Sequence, residues 1–68
     1  MKEIVINRVA TLRNNKKITQ EELAKAVDVT RQTIIAIEKG SYTPSVLLAL
    51  KLAKFFRKSI EEMFSYES

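Results

Sequence analysis

A chain of 68 residues has room for one domain, residues 1–68, and lies near the smallest size at which one core is stable unaided. It contains no cysteine and no histidine, which excludes disulfides and thiolate metal sites and removes the usual general base and the commonest metal ligand. A net charge of +4 favours polyanionic partners such as nucleic acid. We therefore expect neither an enzyme nor a cofactor-binding protein.

The apolar stretches are short. None approaches the roughly 18 residues that indicate a membrane span, and the first six residues lack the features of a signal peptide. A hydrophobic fraction of 46% with one glycine and one proline favours a compact, mostly helical fold. We expect a cytoplasmic protein with no membrane partner.

The first predicted elements are a strand and a helix. Ile4, Val5 and Ile6 are consecutive β-branched residues, which favour an extended segment. Val9 and Leu12 then lie three apart, a helical spacing that predicts a first helix over residues 7–15.

A capping box marks the second predicted helix. Thr19 is followed three residues later by Glu22, so each can bond the backbone N–H of the other. The buried stripe Leu23, Ala24 and Val27 extends this helix to about eight residues. A connection of three or four residues leads to the next helix, and so short a link favours the steep crossing of a helix-turn-helix.

The third predicted helix, residues 30–39, has a buried and an outward face. Ile34 and Ile37 lie on one stripe that must be packed, which leaves Arg31 and Gln32 outside. Arginine and glutamine at a helix start can present paired hydrogen bonds to guanine and adenine edges in the major groove. The alternative is a solvated helix end with two ordinary polar residues.

The fourth predicted helix, residues 45–57, follows Gly40, a natural left-handed end, and Pro44, which suits a first helical turn. It is apolar on most sides, so it needs two packing partners. Its expected inward residues are Val46, Leu48, Ala49, Leu52, Ala53 and Phe56.

Two further elements are predicted near the carboxyl end. Ser59 and Glu62 form a second capping box, which opens a short helix through about residue 64. Phe64 and Tyr66 then alternate with polar residues, the period of an edge strand. We expect this strand to pair with residues 3–6.

Residues 9–56 resemble the small XRE/Cro-type transcriptional regulators. The resemblance rests on TQEELA at 19–24, VTRQTI at 29–34, IEKG at 37–40, and PS at 44–45 followed by LALKLA at 48–53. It implies a mainly α, five-helix lambda-repressor-like domain, with a small antiparallel β-ribbon from the two termini as in a short dimeric repressor subgroup. It also implies a homodimer that binds a palindromic operator in double-stranded DNA, with no cofactor and no small-molecule ligand evident.

The family resemblance assigns DNA contacts to two sets of positions. The implied base contacts are Arg31, Gln32, Thr33, Ile35 and Ala36. The implied phosphate contacts are Gln20, Thr30, Lys39, Ser41, Tyr42, Thr43, Ser45 and Lys17. Ile35 is either a thymine-methyl contact or a partly covered surface residue, and the loop hydroxyls and lysines are ordinary surface groups in most proteins.

One pair of residues matches the family pattern inside the domain, and one turn residue departs from it. Arg13 and Glu38 match an ion pair that joins the first helix to the end of the third; two independent solvated charges are the alternative. Asp28 stands where the family usually has glycine in the turn, so we expect a left-handed aspartate at a cost of about 1 kcal/mol.

The apolar residues left over are candidates for a dimer interface or for completing the core. They are Ile4, Ile6, Leu47, Leu50, Phe55, Ile60, Met63, Phe64 and Tyr66. A rival function uses the same surface: an antitoxin-like protein-binding module whose apolar carboxyl end holds a partner and whose DNA binding is autoregulatory.

Overall fold

The fold is described by a computed structural model for the backbone of residues 4–67 and the side chains of residues 5–66. Its elements are β1 (Ile4–Asn7), α1 (Val9–Asn15), α2 (Gln20–Ala26), α3 (Arg31–Lys39), α4 (Val46–Phe56), α5 (Ile60–Met63) and β2 (Phe64–Glu67). The two strands form an antiparallel ribbon. This order confirms the five predicted helices and the terminal ribbon. Among the residues described, no helix is long and apolar enough to cross a membrane.

Side-chain caps determine where four of the helices begin. At the start of α2, the Glu22 N–H donates to Thr19 Oγ1 over 3.0 Å and the Thr19 N–H donates to Glu22 Oε1 over 2.8 Å. Ser59 and Glu62 repeat this capping box at α5, with distances of 3.1 and 2.7 Å. Single hydroxyl caps from Thr30 and Ser45 open α3 and α4. These bonds satisfy amide groups that a helix start leaves unpaired.

Four connections depend on a left-handed residue, the first of them at Lys17, which follows α1 with φ 60°. Gly40 ends α3 at φ 80°, as predicted, and Asp28 adopts φ 62° in the turn after α2. Arg57 ends α4 at φ 57°, a conformation that costs a side chain more than it costs glycine. The chain thus reverses sharply at these points, which brings α2, α3 and α4 around one core.

The core lies between the helices and is entirely apolar in the part of the chain with described side chains. Its buried residues are Val9, Leu23, Ala24, Val27, Ile34, Ile37, Leu48, Leu52, Phe56 and Met63. Leu12, Ile18, Val29, Ala53, Phe55 and Phe64 pack against it from the edge. The predicted stripes of α2 and α3 are therefore correct.

Two expectations for α4 are wrong. Val46 is 75% exposed instead of buried, because the stripe Leu48, Leu52 and Phe56 faces the core and places Val46 on the other side. Pro44 lies outside the first helical turn, since Ser45 is the N-cap and α4 begins at residue 46.

Met63 is a third correction. It was a candidate for the dimer interface, but its side chain is fully buried in the core of its own chain. The Arg8 N–H donates to the Met63 carbonyl over 2.9 Å, which ties the end of α5 to the start of α1. This bond helps to hold Met63 beneath the helices, where it cannot reach a partner.

The burial of the ribbon's side chains decreases along its length. Asn7 pairs with Phe64 at the base, where Phe64 packs against the core. Val5 pairs with Tyr66 further out, where both side chains are exposed. The predicted partner residue 3 and the side chain of Ile4 lie outside the described part of the chain.

Candidate nucleic-acid interface

The helix-turn-helix consists of α2, a short turn and α3. The Val29 N–H donates to the Ala24 carbonyl over 2.9 Å, and Asp28 takes the left-handed conformation that lets the chain leave α2 at once. Ile34 and Ile37 are fully buried on the inner side of α3. The inner face of α3 is therefore fixed by packing, and its opposite face is free to meet a ligand.

The outer face of α3 begins with two exposed polar side chains. Arg31 and Gln32 are exposed, and neither makes a side-chain hydrogen bond to another described residue. Thr33 is half-buried, and its hydroxyl lies 3.1 Å from the Thr30 hydroxyl, so part of its capacity is used within the cap. Long donors at an unobstructed helix start are available for base edges in a groove.

Ile35 and Ala36 lie further along α3 and are both half-buried. The two readings of Ile35, a thymine contact and a partly covered surface residue, are each compatible with this position. The assignment of both residues to base contact stays a prediction.

The far end of α3 is held by an ion pair with α1. Arg13 Nε donates to Glu38 Oε2 over 2.7 Å, and Nη2 of the same guanidinium donates to Oε1 over 3.2 Å. The third donor, Nη1, bonds the Ile18 carbonyl over 2.9 Å. The Arg13 and Glu38 side chains are only 14% and 9% exposed. The structure therefore contains the predicted ion pair, and the alternative of two independent solvated charges is wrong. The hydrogen bond to Glu38 raises the pKa of Arg13, with the Glu38 charge adding to it and burial opposing it.

Gln20 joins this ion pair from α2. Its Nε2 donates to Glu38 Oε1 over 3.0 Å, so Glu38 binds side chains from both α1 and α2. A primary amide has a second N–H, and that donor can still reach a phosphate. The structure thus shows Gln20 bracing α3, while its phosphate contact stays a prediction.

The starts of α2 and α3 border one shallow cleft. Its lining consists of Thr19, Gln20, Glu21, Glu22, Lys25 and Arg31. The predicted phosphate contact Gln20 and the predicted base contact Arg31 are therefore on the same surface. Glu22 is engaged in the capping box, and Glu21 lies 3.8 Å from the Lys25 ammonium, so neither carboxylate stands alone there.

The loop after α3 borders this helix on a different side from the cleft that Gln20 and Arg31 line. Ser41 donates to the Ala36 carbonyl over 3.2 Å, which holds the loop start against α3. A groove has Thr33, Tyr42 and Ser45 among its lining residues, so α3 and the start of α4 share one face. Lys39 and Thr43 are exposed nearby in sequence, and Thr30 is the exposed cap of α3.

Lys17 and the remaining interface candidates lie elsewhere. Lys17 is exposed in the turn after α1, and neither groove beside α3 includes it. Its neighbour Lys16 lies with Nζ 5.3 Å from the centre of the Phe55 ring. The structure therefore gives Lys17 no direct connection to the predicted phosphate contacts.

Sequence reasoning missed Asn7, which it had placed inside the first helix. Asn7 Nδ2 donates to the Ile37 carbonyl over 2.8 Å, and Asn7 Oδ1 accepts from the Val9 N–H over 3.1 Å. In the second bond the Asn7 side chain accepts from the backbone N–H two residues on, a local pattern typical of asparagine, beside Arg8, the N-cap of α1. The first joins residues 30 apart in sequence, and no local pattern reveals it.

Known proteins share this arrangement. The helix-turn-helix family model HTH_3 matches residues 9–63. The chain is 56% identical to the uncharacterized HTH-type transcriptional regulator MJ0272 of Methanocaldococcus jannaschii, over 90% of this chain and 92% of that one. It is 36% identical to the cryptic phage CTXphi transcriptional repressor RstR of Vibrio cholerae, over 87% of this chain and 53% of RstR.

A solved structure shows the same fold. The restriction-modification controller protein C.AhdI from Aeromonas hydrophila matches with a TM-score of 0.73 at 31% identity, over 81% of this chain and 80% of that chain. The lambda-repressor-like architecture implied by the resemblance is confirmed, and so is the expectation of a non-enzymatic protein, because the matched family consists of regulators. The chain therefore belongs to the XRE/Cro-type helix-turn-helix family of DNA-binding transcriptional regulators.

Proposed function

We propose that the protein is a homodimeric, sequence-specific repressor that places α3 of each subunit in one major groove of a palindromic operator. The observation that carries this proposal is the contrast between the two ends of α3. Arg31 and Gln32 are exposed at its start, whereas Glu38 near its end is bonded to two other helices. A rigidly held helix with free donors at one end suits base readout.

Contacts to the DNA backbone would fix the angle at which α3 enters the groove. Gln20 lies in the cleft beside Arg31, and Tyr42 and Ser45 line the groove on another side of α3. Polar groups that flank a reading helix on two sides can bind phosphates on both walls of a major groove. We assign the phosphate contacts to these residues together with Thr30, Lys39, Ser41 and Thr43.

The small number of base pairs that one α3 helix can contact is the reason for proposing a dimer. One recognition helix reads only a few base pairs, and two-fold symmetry doubles the readout with half-sites about 34 Å apart. Leu47 and Leu50 are 63% and 53% exposed on α4, and Val46 extends the same region. Isolated apolar side chains on a surface are ordinary, but three on one helix in so small a protein favour a covered face.

The other interface candidates support this face unequally. Tyr66 is 70% exposed on the ribbon and can extend a dimer contact. Ile6 and Ile60 are half-buried, and Phe55 and Phe64 already pack against the core edge, so they offer less free surface. We therefore place the interface on α4 first.

Repression is the direction that steric competition predicts. A dimer spanning two grooves covers the DNA that polymerase must enter, and the similar RstR protein is named a repressor. Whether the bound dimer lowers or raises transcription is measured in vitro with the selected operator placed over a promoter. Increased transcript on adding the protein would contradict repression.

Selection of bound fragments from random DNA tests the binding proposal as a whole. We expect a palindrome with half-sites about one helical turn apart, bound by two subunits. The logarithm of the affinity should fall linearly with the logarithm of the salt concentration as counterions are released. An enriched motif without symmetry, or one protein subunit per site, would contradict the dimer.

A substitution at Leu50 tests the interface. Leu50→Glu places a charge on the exposed face of α4 without entering the core, and light scattering should show a shift from dimer to monomer. Thr11→Glu introduces the same side chain at an exposed position of α1 and should leave the dimer intact. A dimer that survives Leu50→Glu would move the interface elsewhere.

The same exposed α4 face also supports the second candidate function, a module that holds a partner protein and regulates its own gene. Light scattering of the protein alone separates the two functions. A stable homodimer favours the repressor. A monomer at tens of micromolar, with weak binding to its selected site, favours the partner-binding module.

A further inference from the structure

Asn7 lies where three parts of the protein meet. It is the last residue of β1, its Oδ1 accepts from the Val9 N–H at the start of α1, and its Nδ2 donates to the Ile37 carbonyl of α3. The next residue, Arg8, donates its N–H to the Met63 carbonyl at the end of α5. The ribbon, α1 and α5 are thus joined at this point, and the Asn7 side chain extends the junction to α3.

The acceptor on α3 has two donors. The Ile37 carbonyl belongs to the last turn of the helix, where carbonyls lack the regular partner four residues on. It accepts from the Gly40 N–H over 2.9 Å and from Asn7 Nδ2 over 2.8 Å. The Asn7 bond therefore holds the carboxyl-terminal turn of α3 from outside the helix.

A second connection holds the same turn. Glu38 follows Ile37 directly and is bonded to Arg13 of α1. The two hydrogen-bonded contacts are made at neighbouring residues of α3, one at the backbone carbonyl of Ile37 and one at the side chain of Glu38. With both in place, the end of α3 is anchored relative to α1, and the angle of the helix is set.

We propose that Asn7 is a positioning residue for DNA recognition, which fixes the carboxyl-terminal end of α3 to the junction of β1 and α1. This inference rests on the proposed role of α3 in reading the operator. Asn7 acts through the Ile37 carbonyl and requires no contact with DNA. Without the Asn7 donor, the end of α3 samples further orientations, and operator binding must restore the correct one at a cost in affinity.

Two substitutions separate this role from the local bond to the Val9 N–H. Asn7→Asp keeps the shape and the acceptor for the Val9 N–H, but it replaces the donor with a carboxylate facing the Ile37 carbonyl. Asn7→Ser keeps an acceptor for the Val9 N–H without a net charge and is too short to reach Ile37. Asn14→Asp is the matched control, since Asn14 is exposed on α1 and undergoes the same change of charge.

The first readout is binding of each variant to the selected operator and to a random duplex of equal length, at a temperature where every variant is fully folded. Asn7→Asp and Asn7→Ser should lose about three- to tenfold on the operator, the range expected for one hydrogen bond. Binding to the random duplex should match that of Asn14→Asp for Asn7→Asp and that of the parent protein for Asn7→Ser. A lower stability alone would not change either affinity under these conditions. Operator affinities within twofold of the controls, or equal losses on both DNAs, would overturn the proposal.

The second readout is amide hydrogen exchange without DNA. In both variants the Gly40 and Ser41 amides at the end of α3 should exchange faster, while the Leu52 amide in the core keeps its protection. Uniformly faster exchange, or no change at Gly40, would show that Asn7 only stabilises the fold and would overturn the proposal. If no operator is selected at all, the proposed function fails, and exchange still decides whether Asn7 positions α3.

Discussion

Removing the charge of the Glu38 carboxylate should lower the free energy of unfolding more than removing a charge from the protein surface. Glu38 accepts three hydrogen bonds, two from Arg13 at 2.7 and 3.2 Å and one from Gln20 at 3.0 Å. Breaking a buried ion pair costs about 3 to 5 kcal/mol because one charge is left without its partner. Arg13 keeps its bond to the Ile18 carbonyl and is 14% exposed, so water can compensate in part. We expect Glu38→Gln to lower the free energy of unfolding by about 2 to 4 kcal/mol.

That loss is large for so small a chain. A domain of this length has a total stability of about 3 to 10 kcal/mol, so the variant should unfold at a clearly lower urea concentration. The assay is urea unfolding followed by far-ultraviolet circular dichroism at pH 7. A double-mutant cycle with Arg13→Met isolates the coupling between the two side chains.

Glu21→Gln is the matched control. Glu21 lies 3.8 Å from Lys25, and both side chains are exposed, so this substitution should change the stability by no more than about 0.5 kcal/mol. If Glu38→Gln costs no more than Glu21→Gln, or if the cycle gives a coupling near zero, the ion pair does not hold α3 to α1.

Backbone conformation and pH give three further predictions. Gly40→Ala should cost about 1 kcal/mol in urea unfolding through its φ of 80° alone, because the added Cβ would meet no atom within 4 Å; an unchanged midpoint would contradict this. Arg57→Gly should raise the stability by about 0.5 to 1 kcal/mol, since Arg57 already occupies φ 57°; a loss would show that its side chain contributes more than the strain. Hydrogen bonds from the Ser59 backbone and hydroxyl lower the pKa of Glu62. The stabilising effect of the Glu62 carboxylate is therefore fully present above its ordinary pKa of about 4.3. It is lost as the pH falls through the lower pKa that Glu62 has in the folded protein. Glu62→Gln should flatten the dependence of unfolding free energy on pH below about 4.3, and a dependence equal to that of the parent protein would refute the cap as its source.

Local sequence signals were sufficient for the elements and their order. Thr19 and Ser59 each have a glutamate three residues on, and both capping boxes form. Gly40 ends α3 because only glycine adopts its φ without strain. These features depend on neighbours within one turn, so they are readable without the fold.

Features that depend on contacts between residues far apart in sequence could not be predicted from the sequence alone. Helix α4 is apolar on most sides, so its sequence does not show which side meets the core, and Val46 was assigned to the wrong one. Met63 looked like a free apolar residue until its burial beneath the other helices was known. The long-range bonds of Asn7 and Gln20 need the positions of Ile37 and Glu38 in space, which no spacing rule supplies.

The central claim is that the exposed start of α3 reads base edges. Its most direct test is the affinity of Arg31→Ala and of Gln32→Ala for the selected operator and for a random duplex, at one salt concentration. Each substitution should cost about 1 to 3 kcal/mol on the operator and leave binding to the random duplex nearly unchanged. Equal losses on both duplexes would make these residues phosphate contacts and would contradict the claim.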